Sequence, residues 1–304
     1  MLHYNWQMTE SNGQKGHHRE VLIVGAGPTG LCTAIELHRH GIPFRLIDKN
    51  AQPSPYSKAL AIHARTLEIF EIMGVSSALV AHGKKLRDVN ISLNGKKLVS
   101  WNMDGLETAY PYILSLPQSD TERILIDHLH ALGSAVERQV ELVGLSQTQS
   151  EVTARLRHVD ENGDQRIEEV KTPWLIACDG AHSTTRHALS LTFFGSQYPE
   201  LFLLADAYLD SELSEDGMHL YNGDDGLLAI FPYGNKRFRI IADMPLDLKK
   251  EAAVRRISES TGASSKSQSQ RALSASSIQS RKEPTQEEMQ AIIDRRASSK
   301  VKIV

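Results

Sequence analysis

The chain has 304 residues, 40% of them hydrophobic and 23% charged, a composition that excludes fibrous, collagenous and wholly disordered proteins. Its 34 basic and 37 acidic residues give a formal charge of −3, which excludes a global attraction to nucleic acid or to an anionic membrane. Cys32 and Cys178 are too few for a disulfide framework or a zinc cluster, and we interpret them as structural thiols in a reducing cytoplasm.

The first 19 residues form a polar leader that lacks the apolar core of a signal peptide. The one long apolar run, which begins at Val21, is broken by glycines and a proline, so we expect no membrane span and a cytoplasmic location. The 13 histidines raise the question of a metal site. The pairs His38/His40 and His128/His130 lie two residues apart on predicted helices, where their side chains point in different directions. We therefore predict no metal site.

Residues 21–48 have the pattern of a βαβ unit, with the strand VLIV, a glycine loop, an amphipathic helix and a second strand that ends at Asp48. In such a unit Gly25 permits a tight turn, Gly27 lets a pyrophosphate approach the backbone, and Gly30 lets helix and strand pack closely. The helix N-terminus attracts phosphate, and the terminal acid can accept hydrogen bonds from ribose hydroxyls. The order of these parts predicts a dinucleotide site but does not separate NAD from FAD.

The following elements depart from the double winding of a simple NAD-dependent dehydrogenase. A loop leads to the helix ARTLEIFEIMG, and a hairpin then turns at Asn94-Gly95. A second amphipathic helix carries Leu125 and Leu129 on one side. Three further strands form a meander, after which an apolar strand ends at Asp179 and leads into a short helix. These elements add no further βα units to the first one.

Four segments in this order resemble the class A flavin-dependent aromatic hydroxylases, the group that contains para-hydroxybenzoate and phenol hydroxylases. They are VLIVGAGPTG with its terminal acid, SKALAIHARTLEIFEIMG, LPQSDTERIL and CDGAHSTTR. The resemblance implies an α/β fold, in which a Rossmann-like FAD-binding βαβ domain of the glutathione-reductase type accompanies a mixed-sheet substrate domain. It also implies FAD as the cofactor, NAD(P)H as the reductant, and cofactor contacts from Gly25, Gly27, Gly30, Asp48, Arg65, Gln118, Asp179 and Arg186.

The resemblance implies a separate role for each polar residue of this set. The glycine loop and Asp48 bind the adenosine-diphosphate half of FAD. Arg65 reaches the flavin side of the cofactor, and Gln118 hydrogen-bonds the ribityl chain. Asp179 contacts the cofactor from a strand end, and Arg186 supports the turn that follows, together with Ser183. No residue is assigned a catalytic role, because in this family the hard chemical step belongs to the cofactor.

Each of these side chains also has an interpretation that involves no ligand. Asp48 can be a solvated acid at a strand end, and Arg65 can be an exposed side chain at a helix start. Gln118 can be a surface residue near a helix N-terminus, and Asp179 can cap the following helix. Lys58 matches a position that is often basic in the family, which makes it a candidate contact for a phosphate of NAD(P)H.

We divide the chain into five segments on composition and pattern. Phe231, Tyr233 and Phe238 lie on predicted strands of the second domain and are candidates for either a substrate pocket or the sheet core. A capping box at Thr285 and Glu288 predicts a terminal helix. The segments are a polar leader (1–19), an FAD-binding domain (20–195), a partial substrate-binding sheet domain (196–255), a serine-rich flexible segment (256–283), and a terminal helix and tail (284–304).

The family carries a Gly-Asp segment that contacts the ribityl chain, and we find no counterpart for it. Gly163-Asp164 lies in a predicted hairpin loop, and Gly223-Asp224 precedes a predicted strand. We therefore expect a C-terminally incomplete form of such an enzyme, with weak activity or none by itself. The protein partner that we expect is either a companion chain or a second copy of this chain in a homodimer.

The sequence predicts an FAD-dependent, NAD(P)H-using monooxygenase that hydroxylates a small aromatic molecule, phenol-like or polyketide-like. It predicts no nucleic-acid partner and no membrane partner. Two alternatives stay open. The first is a non-enzymatic or regulatory remnant of a flavoprotein, which the missing segment and the serine-rich stretch favour. The second is an NAD(P)-dependent dehydrogenase, which the absence of a Tyr-x-x-x-Lys motif and of further βα units disfavours.

Overall fold

The computed structural model describes residues 21–55, 57, 59–160, 162–196, 201–244 and 284–304. The polar leader, Lys58 and the serine-rich segment lie outside these residues. The chain divides into two compact units: unit 1 combines Met1–Ser54 with Leu125–Phe193, and unit 2 combines Pro55–Ile124 with Phe194–Val304. Residues 55–124, which the sequence pattern places in the first domain, thus belong to the same unit as the C-terminal strands.

The described elements are, in chain order, β1 (Val21–Val24), α1 (Pro28–Arg39), β2 (Phe44–Asp48), β3 (Ala61–Ile62), α2 (Ala64–Ile72), α3 (Ser76–His82), β4 (Lys84–Leu86), β5 (Asp88–Leu93), β6 (Lys96–Asn102), β7 (Ile113–Ser115), α4 (Gln118–Ala131), β8 (Val136–Arg138), β9 (Val140–Gln147), β10 (Val152–Val159), β11 (Gln165–Thr172), β12 (Trp174–Ala177), α5 (Thr184–Ala188), β13 (Phe202–Ser211), β14 (Gly217–Gly223), β15 (Gly226–Gly234), β16 (Arg237–Asp243), α6 (Gln286–Arg296) and β17 (Val301–Ile303).

Unit 1 is built on a parallel four-stranded sheet in the order β12-β1-β2-β8. All four residues of β1 are buried, as the unbroken apolar run VLIV requires of a central parallel strand. Helix α1 begins with Pro28 in its first turn and buries Leu31, Ala34 and Ile35, and the chain after it turns at Gly41 with φ +66°. The predicted βαβ unit is confirmed.

An antiparallel meander of β9, β10 and β11 forms the second sheet of unit 1. Its apolar side chains share one core with the parallel sheet, so the two sheets of this unit stabilise each other. The core residues are Leu22, Val24, Ile47, Val140, Leu142, Ala154 and Leu156.

Unit 2 contains a mixed seven-stranded sheet in the order β17-β13-β16-β15-β14-β5-β6. Strands β14 and β5 pair in parallel, and the other neighbours are antiparallel. The predicted hairpin is confirmed, because Asn94 and Gly95 both have positive φ (48° and 74°), as a type I′ turn between β5 and β6 requires. This hairpin extends the sheet at its β14 edge, which explains why residues 55–124 belong to unit 2.

Helix α6 packs on one face of this sheet. The predicted capping box is present, with Thr285 and Glu288 each accepting the other's backbone N–H. Phe238 lies in the core between the sheet and α6, whereas Phe231 packs on the other face beside a cluster around Leu86. Of the two interpretations left open for Phe238, its burial in this cluster fits the sheet core. The α6 side chains in this core are Met289, Ile292 and Ile293.

The segment after α6, predicted as a tail, instead ends in strand β17. It pairs antiparallel with β13, with Leu209 opposite Ile303, and it buries Val301 and Ile303. No helix among the described residues is long and apolar enough to cross a membrane. In the same part of the chain, no group of three or more His, Cys, Asp and Glu side chains is arranged to hold a metal ion.

Candidate functional site

The glycine loop joins β1 to α1 at the carboxyl edge of the parallel sheet. Gly25 has φ +99°, and a Cβ there would lie 2.4 Å from the carbonyl oxygen of Cys178. A Cβ on Gly30 would lie 1.8 Å from the carbonyl oxygen of Gly25. Both contacts are with backbone atoms, which cannot move aside as a flexible side chain can. The structure thus shows the tight turn and the close packing predicted for these two glycines.

Gly27 is different, because a Cβ there would meet no heavy atom within 4 Å. Its φ of −74° and ψ of −176° are extended values that any residue adopts. It is the N-cap of α1, and no side chain of the described residues caps that helix end. Among these residues nothing fills the space in front of Gly27, so the N–H groups and the dipole of the helix start are arranged to bind a phosphate group.

Asp48 is tied directly to the glycine loop. Its Oδ2 accepts the N–H of Ala26 at 2.8 Å, and its Oδ1 accepts the N–H of Asn50 at 2.8 Å. The carboxylate is buried at the end of β2, with Nη1 of Arg138 3.6 Å from Oδ1. Asp48 is therefore a fixed hydrogen-bond acceptor beside the loop, and its burial excludes the freely solvated acid.

Asp179 follows β12 and lies against the same loop, since a Cβ on Gly25 would come within 3.0 Å of the Asp179 Cα. Its Oδ2 accepts the N–H of Thr185 at 3.0 Å and the hydroxyl of that residue at 3.2 Å. Burial acts to raise the pKa of Asp179, but the hydrogen bonds from Ser183 and Thr185 outweigh it and hold the pKa below its ordinary value. The carboxylate is therefore ionised at neutral pH.

The second oxygen of Asp179, Oδ1, is buried and has no hydrogen-bond partner in the described part of the chain. A buried carboxylate oxygen without a donor costs free energy, so such an atom calls for an explanation. A ligand hydroxyl placed against the loop would supply the missing donor.

Arg186 supports the turn after Asp179. Its Nη1 donates to the Ala181 carbonyl at 2.8 Å, and its guanidinium lies 4.9 Å from the centre of the Phe193 ring. Its backbone N–H donates to Oγ of Ser183, the N-cap of α5, at 2.9 Å.

Arg65 and Gln118 lie in unit 2, whereas the other six predicted cofactor residues lie in unit 1. The Arg65 side chain is 79% exposed at the start of α2 and pairs with Glu68 at 3.0 Å. Gln118 opens α4, and its Nε2 donates to Glu122 at 2.8 Å. Its backbone N–H donates to Oγ of Ser57 at 2.8 Å, which fixes the start of the helix.

Unit 2 contains a buried ion pair that the sequence pattern did not predict. Arg239, only 3% exposed, donates to both oxygens of Asp206 at 2.9 and 3.0 Å. Its Nη1 also lies 3.4 Å from the same Ser57 hydroxyl that accepts from Gln118. The hydroxyl of Tyr233 donates to Asp206 at 3.2 Å. An arginine within the apolar strand RFRIIAD is the signal that could have revealed this cluster, since buried charges are paired.

Cys32 and Cys178 have the surroundings of structural thiols. Burial, with a further contribution from the nearby charge of Glu36, raises the pKa of Cys32 to about 11. Burial also raises the pKa of Cys178, although the Thr33 hydroxyl, 3.9 Å from its sulfur, acts in the opposite direction. Neither thiol is set up as a nucleophile.

We expect Cys32 in the folded chain to react with iodoacetamide at neutral pH at least about a hundredfold more slowly than in the urea-unfolded chain. The thiolate is the reactive form, and a rise of about two pKa units lowers its fraction by about that factor. Peptide mapping by mass spectrometry measures both rates. Equal labelling rates of folded and unfolded protein would show that folding neither buries this thiol nor raises its pKa.

Comparison with known proteins places this geometry in a family. A family model described as an FAD binding domain matches residues 18–292. The 6-methylpretetramide 4-monooxygenase of Streptomyces rimosus is 40% identical over 216 residues, which cover 70% of this chain and 38% of that protein. The pentachlorophenol 4-monooxygenase of Sphingobium chlorophenolicum is 30% identical over 227 residues, which cover 73% of this chain and 41% of that protein. The chain thus spans less than half the length of these relatives.

Solved structures give the same result. The OxyS anhydrotetracycline hydroxylase from Streptomyces rimosus superposes with a TM-score of 0.59 at 30% identity, covering 74% of this chain and 45% of that chain. The p-nitrophenol 4-monooxygenase PnpA from Pseudomonas putida superposes with a TM-score of 0.68 and covers 79% of this chain and 61% of that chain. Its identity of 22% shows the fold alone.

Proposed function

The chain belongs to the FAD binding domain family that includes aromatic and polyketide monooxygenases, and from this membership we propose that it is the FAD-binding part of an NAD(P)H-dependent monooxygenase. Its membership confirms the resemblance to flavin-dependent aromatic hydroxylases and the α/β fold class with a mixed sheet. When bound, FAD supplies the redox chemistry that lets electrons from NAD(P)H activate O₂.

The residues of unit 1 fit the adenosine-diphosphate half and the ribityl chain of this cofactor. The uncapped α1 terminus in front of Gly27 accepts the pyrophosphate, and Asp48 accepts a ribose hydroxyl. Asp179 Oδ1 accepts a ribityl hydroxyl, which satisfies an oxygen that otherwise has no donor among the described residues. The family match over residues 18–292 carries the proposal, and the unpartnered oxygen against the glycine loop supports this placement of the ribityl chain.

In unit 2 we assign Arg65 and Gln118 to the flavin side and the mixed sheet to the substrate. Arg239, which pairs with Asp206, donates to Oγ of Ser57, and the same oxygen accepts the backbone N–H of Gln118. The substrate that we propose is a small aromatic molecule, phenol-like or polyketide-like.

We expect Asp179→Asn to weaken FAD binding about tenfold and to change ADP binding by less than about twofold. The variant replaces an ionised acceptor with an amide, and a hydrogen bond to a charged group is worth about 1.5–3 kcal/mol. ADP has no ribityl chain, so it does not use this oxygen. Arg65→Met is likewise expected to weaken FAD binding more than ADP binding. Titration of each apoprotein measures both constants, with Asp160→Asn in an exposed hairpin loop as the control. Equal losses for FAD and ADP would contradict both assignments.

The activity is tested with the FAD-loaded full chain, NADH or NADPH, and a panel of phenols and polyketide-derived phenols under isotopically labelled O₂. The proposal predicts that NAD(P)H reduces the bound flavin, with little or no hydroxylated product from the chain by itself, and that any product carries labelled oxygen. Bound flavin that neither NADH nor NADPH reduces would favour the regulatory flavoprotein. A chain that binds NAD and no flavin would favour the dehydrogenase.

A further inference from the structure

We infer that Arg138 is a further residue of the adenosine end of the site, where it positions Asp48 and donates hydrogen bonds to acceptor atoms of the bound adenosine. This inference rests on the proposed FAD binding, and the sequence pattern gave no indication of it. It concerns the side of the cofactor opposite to the flavin.

Arg138 lies at the edge of the sheet where a ligand is expected. Strands β2 and β8 pair in parallel, and their last paired residues are Asp48 and Arg138. Both side chains therefore emerge at the carboxyl edge of the parallel sheet, the edge at which open α/β folds bind their ligands.

The backbone after Arg138 is held in an uncommon conformation. Gln139 has φ +59°, a value that residues with a side chain seldom adopt. Its N–H donates to the carbonyl of Asn50 at 3.4 Å, and its carbonyl accepts the N–H of Val159 at 3.1 Å. The first contact attaches the end of β8 to the segment that follows Asp48, and the second attaches it to the end of β10.

The guanidinium of Arg138 has donors to spare. The side chain is 20% exposed, and its Nη1 lies 3.6 Å from Asp48 Oδ1, which is too long for a hydrogen bond. Within the described residues the guanidinium makes no hydrogen bond. Arg45 on β2 shows the contrast, because its guanidinium donates to both Glu137 and Glu168 at 2.8–2.9 Å.

Asp48 alone does not meet the needs of an adenosine. A carboxylate has about four acceptor positions and no donor, and two of them already take the N–H groups of Ala26 and Asn50. Asp48 thus receives a ribose hydroxyl but offers nothing to the ribose oxygens or the ring nitrogens of the purine, which are acceptors. The N–H groups of Arg138, placed next to it, have the complementary chemistry.

The inference is tested by titrating the apoprotein of the full chain with FAD, ADP and FMN. We expect Arg138→Met, which keeps the apolar stem, to weaken the binding of FAD and of ADP about tenfold each. This loss corresponds to one hydrogen bond from a charged donor. FMN, which has no adenosine, is expected to bind the variant as it binds the wild type. Arg155→Met, which removes an exposed arginine on β10 of the same unit, is the matched control and is expected to change none of the three constants.

Arg138→Lys tests whether Arg138 contacts the adenosine or only places a positive charge beside Asp48. A lysine keeps a positive charge beside Asp48 but loses the fork of donors, so we expect it to restore less than half of the lost ADP affinity on a logarithmic scale. Full recovery by lysine, or wild-type FAD and ADP affinity in Arg138→Met, would overturn the inference while leaving FAD binding intact. A wild-type chain that binds neither FAD nor ADP would overturn the proposed function and this inference with it. Thermal unfolding of each variant identifies any that does not fold. If Arg138→Met does not fold, Arg138→Lys is compared with the wild type instead.

Discussion

The Gly27→Val variant is expected to fold as the wild type does and to lose FAD binding by at least about a hundredfold, the equivalent of two charge-assisted hydrogen bonds. A valine side chain meets open space at this position, and its backbone conformation is ordinary. The loss of stability is therefore limited to the poorer N-cap, about 1 kcal/mol. The same open space is where we place the pyrophosphate, so the isopropyl group displaces the ligand from the amides of α1.

Gly144→Val is the matched control for this variant. Gly144 lies on β9 of the same unit, and a Cβ there also meets no heavy atom within 4 Å. We expect it to bind FAD and ADP with wild-type affinity. Fluorescence titration gives the affinities, and chemical denaturation gives the stabilities. Wild-type FAD affinity in Gly27→Val would show that no pyrophosphate approaches this part of the loop.

Gly30→Ala is expected to destabilise the chain by more than about 4 kcal/mol, an exceptional loss for a single methyl group. The added carbon would lie 1.8 Å from the carbonyl oxygen and 3.0 Å from the carbonyl carbon of Gly25. Because these are backbone atoms, α1 has to move away from the loop, which breaks the packing of the βαβ unit. A loss of this size is a large part of the stability of a typical domain, about 5–15 kcal/mol.

Denaturant unfolding followed by circular dichroism measures this effect, with Gly27→Ala in the same loop as the control. The control adds the same methyl group where there is room for it. Similar unfolding midpoints for the two alanine variants would mean that helix and loop are not packed as closely as the structure has them.

The elements that were predictable from sequence are those whose signal is local. The apolar run VLIV, the glycine loop and Asp48 specify the βαβ unit within 28 residues, from 21 to 48. The Asn94-Gly95 turn and the capping box at Thr285 likewise act on their immediate neighbours. In each case backbone geometry or hydrogen bonds between near neighbours in sequence determine the local structure, so no distant partner has to be known.

The features that escaped prediction depend on distant residues. The hairpin β5–β6 belongs to unit 2 because β5 pairs in parallel with β14, more than 100 residues away along the chain. Strand β17 has three residues and forms only against β13. Arg239 and Arg138 acquire their importance from Asp206 and Asp48, which tertiary structure alone brings near. Local patterns carry no information on such pairings.

The measurement that tests the FAD site most directly is an equilibrium titration of the 304-residue apoprotein with FAD, followed by competition with ADP. The glycine loop, Asp48 and Asp179 predict saturable binding of a single flavin per chain, visible as a shifted flavin absorption band, and complete displacement of FAD by excess ADP. A chain that retains no flavin, or one whose bound flavin ADP does not displace, would contradict the placement of the cofactor at this loop.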